Sequence, residues 1–200
     1  MRGIMGIEVD AMKVSKYGIK YDREWAIYDK EKLGCITQSP EVKLTQLRQR
    51  IDKDLSTKQK FLVISIIDSH VHLAPKDIAR EIRIPIRKEP TGEIVDTGKV
   101  KGIAEGAEFD KWFSKFIEKE VILLRSAPGF KKGLPMNILK WGQDADLTKG
   151  FVSKAAIHIV NEASTRDLSK RVLAQYSDPA EKERIRITSI AFRPNIIIDS

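Results

Sequence analysis

Arg193 and Asn195 flank Pro194 at the mouth of the apolar run Ile196-Ile197-Ile198. The proline fixes its own φ and biases Arg193 toward an extended backbone. Two polar heads are then held where a strand begins, an arrangement that suits donors aimed at a phosphate or another oxyanion. The alternative is a loop arginine ahead of an edge strand. The isoleucine run reads as a central strand that needs neighbours on both sides, so the chain reads as a domain cut off before completion.

Other chemistry-bearing side chains are sparse. His70 and His72 stand at i, i+2 in what reads as a strand, which would put both imidazoles on one face, and His158 lies in another strand. No Cys, Asp or Glu cluster completes a metal site around the pair. They read as solvent-facing strand histidines. The single cysteine, Cys35, also falls in a strand, with no CxxC partner and no helix start to depress its pKa, and reads as an inert thiol. Glu105 and Glu108 around Gly106 resemble a turn into a helix more than an acid–base pair. No Walker A, G-x-S-x-G or clean G-x-G-x-x-G motif occurs. Nothing in these residues by themselves assigns catalysis.

The elements that must position these groups follow from periodicity. Residues 24–29 form a short aromatic strand, closed by the charged turn at 29–34 and followed by a second strand at 35–37, which predicts a hairpin. Residues 61–67 are β-branched, 68–69 read as a turn, and 70–74 alternate, which predicts a second hairpin. Residues 81–87 place Ile82, Ile84 and Ile86 on one face, and Pro85 assigns them to a sheet edge. Turns are expected at 90–92, at 97–98 and around Gly102. Phe109, Trp112, Phe113, Phe116 and Ile117 recur at helical spacing and predict an amphipathic helix with a core-facing stripe. A strand follows at 121–124. Residues 126–150, rich in Gly and Pro, read as a loop or linker. A strand at 157–160 leads to a helix from Ser164, with Asp167 completing a capping box and Leu168, Val172 and Leu173 facing inward. Ser177-Asp178-Pro179 would end that helix, and 184–190 and 195–198 would be closing strands. The fold class is α+β: mostly antiparallel, barrel-like, with two amphipathic helices.

At 200 residues and 42% hydrophobic, the chain can bury a substantial core. The net charge of +8 comes from 36 Lys and Arg against 28 Asp and Glu, interleaved throughout, so solvated faces are expected rather than a nucleic-acid surface. A β-barrel that binds RNA or an anionic surface is the weaker alternative. With one cysteine there is no internal disulfide, which suits an intracellular, reducing compartment. No apolar run reaches the length of a membrane span, and no secretory or transit peptide is visible.

Several segments, in order, resemble the MOSC family, which includes the mitochondrial amidoxime-reducing component and the C-terminal part of molybdenum-cofactor sulfurase. Gly18-x-x-Tyr21-Asp22-Arg23-x-Trp25 and Ile36-Thr37-Gln38 resemble the opening of its N-terminal β-barrel domain. Phe109 to Phe116 resembles the helix that follows, Asn161-Glu162-Ala163-Ser164 with Asp167-Leu168 the start of the MOSC domain proper, and Phe192-Arg193-Pro194-Asn195 its FRPN signature. The resemblance implies a MOSC N-terminal-like domain over 1–125, a linker over 126–150 and the start of a MOSC-like domain over 151–200. It also implies that Arg23, Arg193 and Asn195 would converge to hold the phosphate and pterin edge of molybdenum cofactor.

Departures from the pattern point the other way. The family's Tyr-Pro-x-Lys-Ser motif would precede the present start, its T-x-R arginine is Ser39 here, and Val152 to Ala156 lack the Asp and Pro of its S-D-x-S-P segment. The family's metal-ligating cysteine lies beyond the FRPN strand, and Cys35 is in the wrong segment to replace it. The resulting expectation is a degenerate MOSC-type protein with no cofactor and no catalytic or metal-binding residue. It would be a structural or accessory subunit whose open barrel is covered by protein partners, in mitochondria if it works where its relatives do. The alternative is a fragment of a molybdenum-cofactor oxidoreductase or sulfur carrier.

Overall fold

A computed structural model describes residues 1–15, 18–89, 91–96, 101–127, 151 and 157–199. The expected turn at 97–98, Pro90 of the turn before it, and the expected loop from 128 onward lie outside the described residues. The chain divides into two units, Met1–Lys154 and Ala155–Ser200.

In the first unit a two-stranded ribbon, β1 (Val14–Ser15) and β2 (Gly18–Ile19), leads into β3 (Trp25–Asp29), which is buried throughout. β3 turns back into β4 (Gly34–Cys35) as expected, and Asp29 makes that turn. Its Oδ1 accepts the amides of Glu31 and Lys32 at 3.0 and 2.9 Å, the local bonding that favours Asp at such corners. β5 (Leu47–Lys53), β6 (Lys60–Ile66) and β7 (Glu81–Pro85) form a three-stranded antiparallel sheet, with the proline strand at an edge. β8 (Ile94–Asp96) and β9 (Lys101–Ala104) precede α1 (Ala107–Ile117), and β10 (Val121–Ser126) returns between β3 and β9. The larger sheet thus runs β4-β3-β10-β9-β8, all antiparallel.

The aromatic stripe of α1 is core, as its period requires. Phe109, Trp112, Phe113, Phe116 and Ile117 are all buried, in one cluster with Trp25 and Ile27 of β3, Leu62 and Ile64 of β6, and Ile84 of β7. Trp112 stacks on Phe116 with ring centres 5.5 Å apart and meets Phe113 edge-on at 4.9 Å. The helix ends at Glu118 in the left-handed conformation, whose amide bonds back to the Ser114 carbonyl.

The second hairpin is a correction. Residues 68–73 form a 3₁₀ helix, so His70 and His72 do not share a strand face. Both edges of β6 are already taken, by β5 and β7, and Asp68 and Ser69 favour a turn over a ladder. The sequence pattern does not predict β5, because Arg48, Gln49, Arg50 and Asp52 mask its alternation. Neither sheet closes into a barrel among the described residues.

The second unit holds β11 (Ile159–Asn161), α2 (Glu162–Leu173), the short α3 (Pro179–Arg184), a 3₁₀ turn (Ser189–Phe192) and β12 (Ile196–Ile198). β11 and β12 pair in parallel, from Ile159 opposite Ile196 to Asn161 opposite Ile198. His158 directly precedes β11. β12 has this one neighbour among the described residues, and Ile197 and Ile198 are exposed, so it is not the central strand expected from its composition.

Four further expectations are corrected here. α2 starts at Glu162, capped by Asn161 in place of the Ser164 capping box, because the Asn161 Oδ1 accepts the amides of Ala163 and Ser164. Leu168 is exposed, and the buried residue of α2 is Thr165. α2 ends at Leu173, while Asp178 caps α3 with Pro179 in the first turn. Residues 184–190 are not a strand: Ile185 and Ile187 alternate with exposed neighbours, but no described strand lies beside them to complete a ladder.

Candidate functional site

The Tyr21–Trp25 segment links β2 to β3, and each of its side chains has a specific partner. Tyr21 and Arg23 both adopt left-handed backbone, at φ 67 and 50. That geometry is uncommon for residues with a Cβ and is held here by local bonds. The Asp22 amide donates to the Ile19 carbonyl at 3.1 Å, and the Arg23 carbonyl accepts the Phe151 amide at 2.9 Å. The Arg23 guanidinium forks onto its neighbour, with Nε and Nη2 at 2.9 and 2.6 Å from the Asp22 Oδ2.

Glu24 and Trp25 tie this segment to a buried polar network that no sequence motif marks. Arg125 on β10 donates to the Glu24 Oε1 from Nε at 2.8 Å and Nη2 at 2.6 Å, and from Nη1 to the Arg87 carbonyl at 2.7 Å. The Trp25 indole N–H donates to the Glu105 Oε1 at 2.7 Å, and Arg87 approaches the other carboxylate oxygen at 3.6 Å. The Arg125 guanidinium also lies 5.1 Å from the centre of the Trp25 ring. Glu105 is 1% exposed at its side chain. Burial pushes its carboxyl pKa up, and the indole bond and the two arginines pull in the opposite direction. By sequence alone Glu105 is a turn residue. A glutamate two places before an amphipathic helix carries no sign that it will be enclosed.

In the second unit the two motif segments meet. The Asn195 Oδ1 accepts the His158 amide at 2.9 Å, and the Asn195 amide donates to the His158 carbonyl at 2.7 Å. These two bonds set the register in which β12 joins β11. The Ser189 hydroxyl bonds to the Glu162 carboxylate and lies 3.0 Å from the Thr165 Oγ1. Arg166 pairs with Asp199 at 3.2 Å. Arg193 is exposed and left-handed, at φ 55 and ψ 52, not extended. Pro194 does stop the helical turn, as a following proline should. The Arg193 amide nevertheless closes that turn on the Ile190 carbonyl at 2.8 Å, which holds its backbone left-handed.

Of the three residues expected to converge, Arg23 thus belongs to the first unit, and Arg193 and Asn195 lie two positions apart in the second. His70 and His72 lie on the 3₁₀ turn of the first unit, and His158 belongs to the strand clamp of the second. Cys35 is half-buried on β4. No group of three or more His, Cys, Asp or Glu among the described residues could hold a metal ion. No described helix is long and apolar enough to cross a membrane.

A sequence profile described as the MOSC N-terminal beta barrel domain matches residues 1–120. Over 204 aligned residues the chain is 23% identical to the molybdenum cofactor sulfurase of Danio rerio. That alignment takes in 100% of this chain and 23% of the zebrafish protein, so the chain spans less than a quarter of its relative's length.

Proposed function

Starting from the fact that this chain belongs to the MOSC N-terminal beta barrel domain family, we propose that it is a non-catalytic structural or accessory subunit of a larger assembly. The observation that carries this reading is where the polar heads point. The Arg23 fork is taken by the Asp22 carboxylate, a neighbour that would repel a phosphate, and the Asn195 carbonyl oxygen is taken by a main-chain amide. With these partners, Arg23 and Asn195 fit the cofactor's phosphate poorly. The assembly would supply cover for β12, whose Ile197 and Ile198 are exposed. By resemblance to relatives, mitochondria are the setting proposed for it.

A second reading is favoured by one observation: the whole chain aligns with part of a molybdenum cofactor sulfurase. On that reading it is the cofactor-binding piece of a molybdenum oxidoreductase or sulfur-transfer protein, and Arg23, Arg193 and Asn195 hold the pterin phosphate once all three are brought together. Metal analysis of the purified protein, with fluorimetry of any pterin released on denaturation, separates the two. The accessory reading expects neither molybdenum nor pterin, together with a stoichiometric partner chain on native mass spectrometry. Stoichiometric molybdenum with a fluorescent pterin overturns it and establishes the second.

A further inference from the structure

The larger sheet has a second face. Trp25 and Ile27 of β3 and Val121 and Leu123 of β10 pack in one core with α1, so strand alternation turns Ala26, Tyr28 and Leu124 the other way. There they form a small buried cluster with a residue from outside the sheet, Phe151, which is 5% exposed. The sheet leaves room for that ring at Gly102 of β9, where a Cβ would stand 3.2 Å from the Phe151 Cζ. The Phe151 amide, in turn, donates to the Arg23 carbonyl at 2.9 Å.

Two features of this seated arrangement cost free energy. Arg23 holds φ at 50, a backbone that a residue with a Cβ seldom adopts. The Tyr28 hydroxyl is buried with no hydrogen-bond partner among the described residues, in a side chain only 3% exposed. Buried polar groups are nearly always partnered, and water would satisfy this one. Against these costs stand one buried ring and one main-chain bond. The larger core, on the α1 face, does not include Phe151. A contact with few partners and stored strain belongs at the low end of local stability.

We infer that Phe151 is a releasable plug whose seating holds Arg23 left-handed. Seated, its ring covers the cluster and its amide fixes the Arg23 carbonyl. Released, it lets water reach Tyr28 and lets the Arg23 backbone leave its strained conformation. The plug thus governs how a motif arginine is presented. It bears on Arg23 under both readings of function and rests on neither.

The test is native-state hydrogen exchange of the full chain, with the Arg23 Cα and Cβ NMR shifts, which report left-handed backbone, followed in parallel. In the parent protein the residue 151 amide should exchange by local opening, faster than the amides of the central strand β6. Tyr28→Phe removes the unpartnered hydroxyl and should slow exchange at 151 roughly tenfold. Phe151→Ala should move the Arg23 shifts away from left-handed values while the β6 amide signals persist, and Phe151→Leu, which refills the socket, should restore them. Exchange at 151 no faster than in β6 makes Phe151 an ordinary core residue and overturns the plug. So do unchanged exchange in Tyr28→Phe, unchanged Arg23 shifts in Phe151→Ala, and loss of the β6 signals in that variant. The first two measurements need no folded Phe151→Ala protein.

Discussion

Glu105 is enclosed with the Trp25 indole on one carboxylate oxygen and Arg87 approaching the other, and these contacts make its protonation state a stability term. Its pKa is raised above the ordinary 4.5, chiefly by burial. The folded state therefore holds the proton more tightly than the unfolded chain. The resulting contribution is fully present below the unfolded pKa and is lost as pH rises through the folded pKa. Glu105→Gln should flatten this part of the stability–pH profile from 4.5 upward, measured by urea denaturation at a series of pH values. A profile identical to that of the parent protein would show that Glu105 does not titrate differently on folding. Trp25→Phe removes the indole donor from that oxygen and leaves a buried acceptor short of a partner. Its expected cost is roughly 1–3 kcal/mol, read by circular dichroism during denaturation. A near-neutral result would mean that Glu105 finds another donor.

At the scale of elements, α1 and α2 are stabilised by different means. α1 buries five large apolar side chains, and Phe113 is 0% exposed. Phe113→Ala should cost roughly 3–5 kcal/mol in chemical denaturation, as a large cavity opens in the core. A cost below that of an exposed substitution would place the stripe at the surface. α2 buries only Thr165 and relies more on its cap. Asn161→Ala removes the side-chain acceptor from two amides, with an expected loss of about 1 kcal/mol. Hydrogen exchange of the Ala163 and Ser164 amides should accelerate in that variant. The α1 stripe was legible because five residues of one chemical type recur at a single period. The 3₁₀ turn at 68–73 was not, because short alternation in Val71, His72 and Leu73 mimics a strand, and the sheet edges open to it are decided elsewhere in the chain.

At the scale of the molecule, the large apolar side chains concentrate in the first unit, whose core joins both sheets to α1. A fragment comprising Met1–Lys154 should therefore unfold in one cooperative transition, followed by tryptophan fluorescence and far-ultraviolet circular dichroism together. Transitions that fail to coincide, or a fragment without a folded baseline, would show that this unit needs residues beyond it. The second unit is organised differently. Among its described residues the buried groups are Thr165 and Ser189, and motif residues serve as clamps: Glu162 on Ser189, and Asn195 on His158.

The sequence by itself determined the α+β class, the β3–β4 hairpin, the proline-bearing edge strand, the α1 core stripe and the family. Each rests on a local period, a turn residue or a motif, which a linear chain carries in full. Tertiary structure decided which strands pair and so that 68–73 has no ladder to join. It also brought Glu24, Trp25, Arg87, Glu105 and Arg125 into one network from four separate segments. For the candidate site, the sequence marked Arg23, Arg193 and Asn195 as polar heads. Only the fold set their partners, Asp22 on the Arg23 guanidinium and His158 on Asn195, and turned Arg193 left-handed. Burial and hydrogen-bond partners depend on what other segments bring to the same place, and spacing along the chain does not encode that contact one residue at a time.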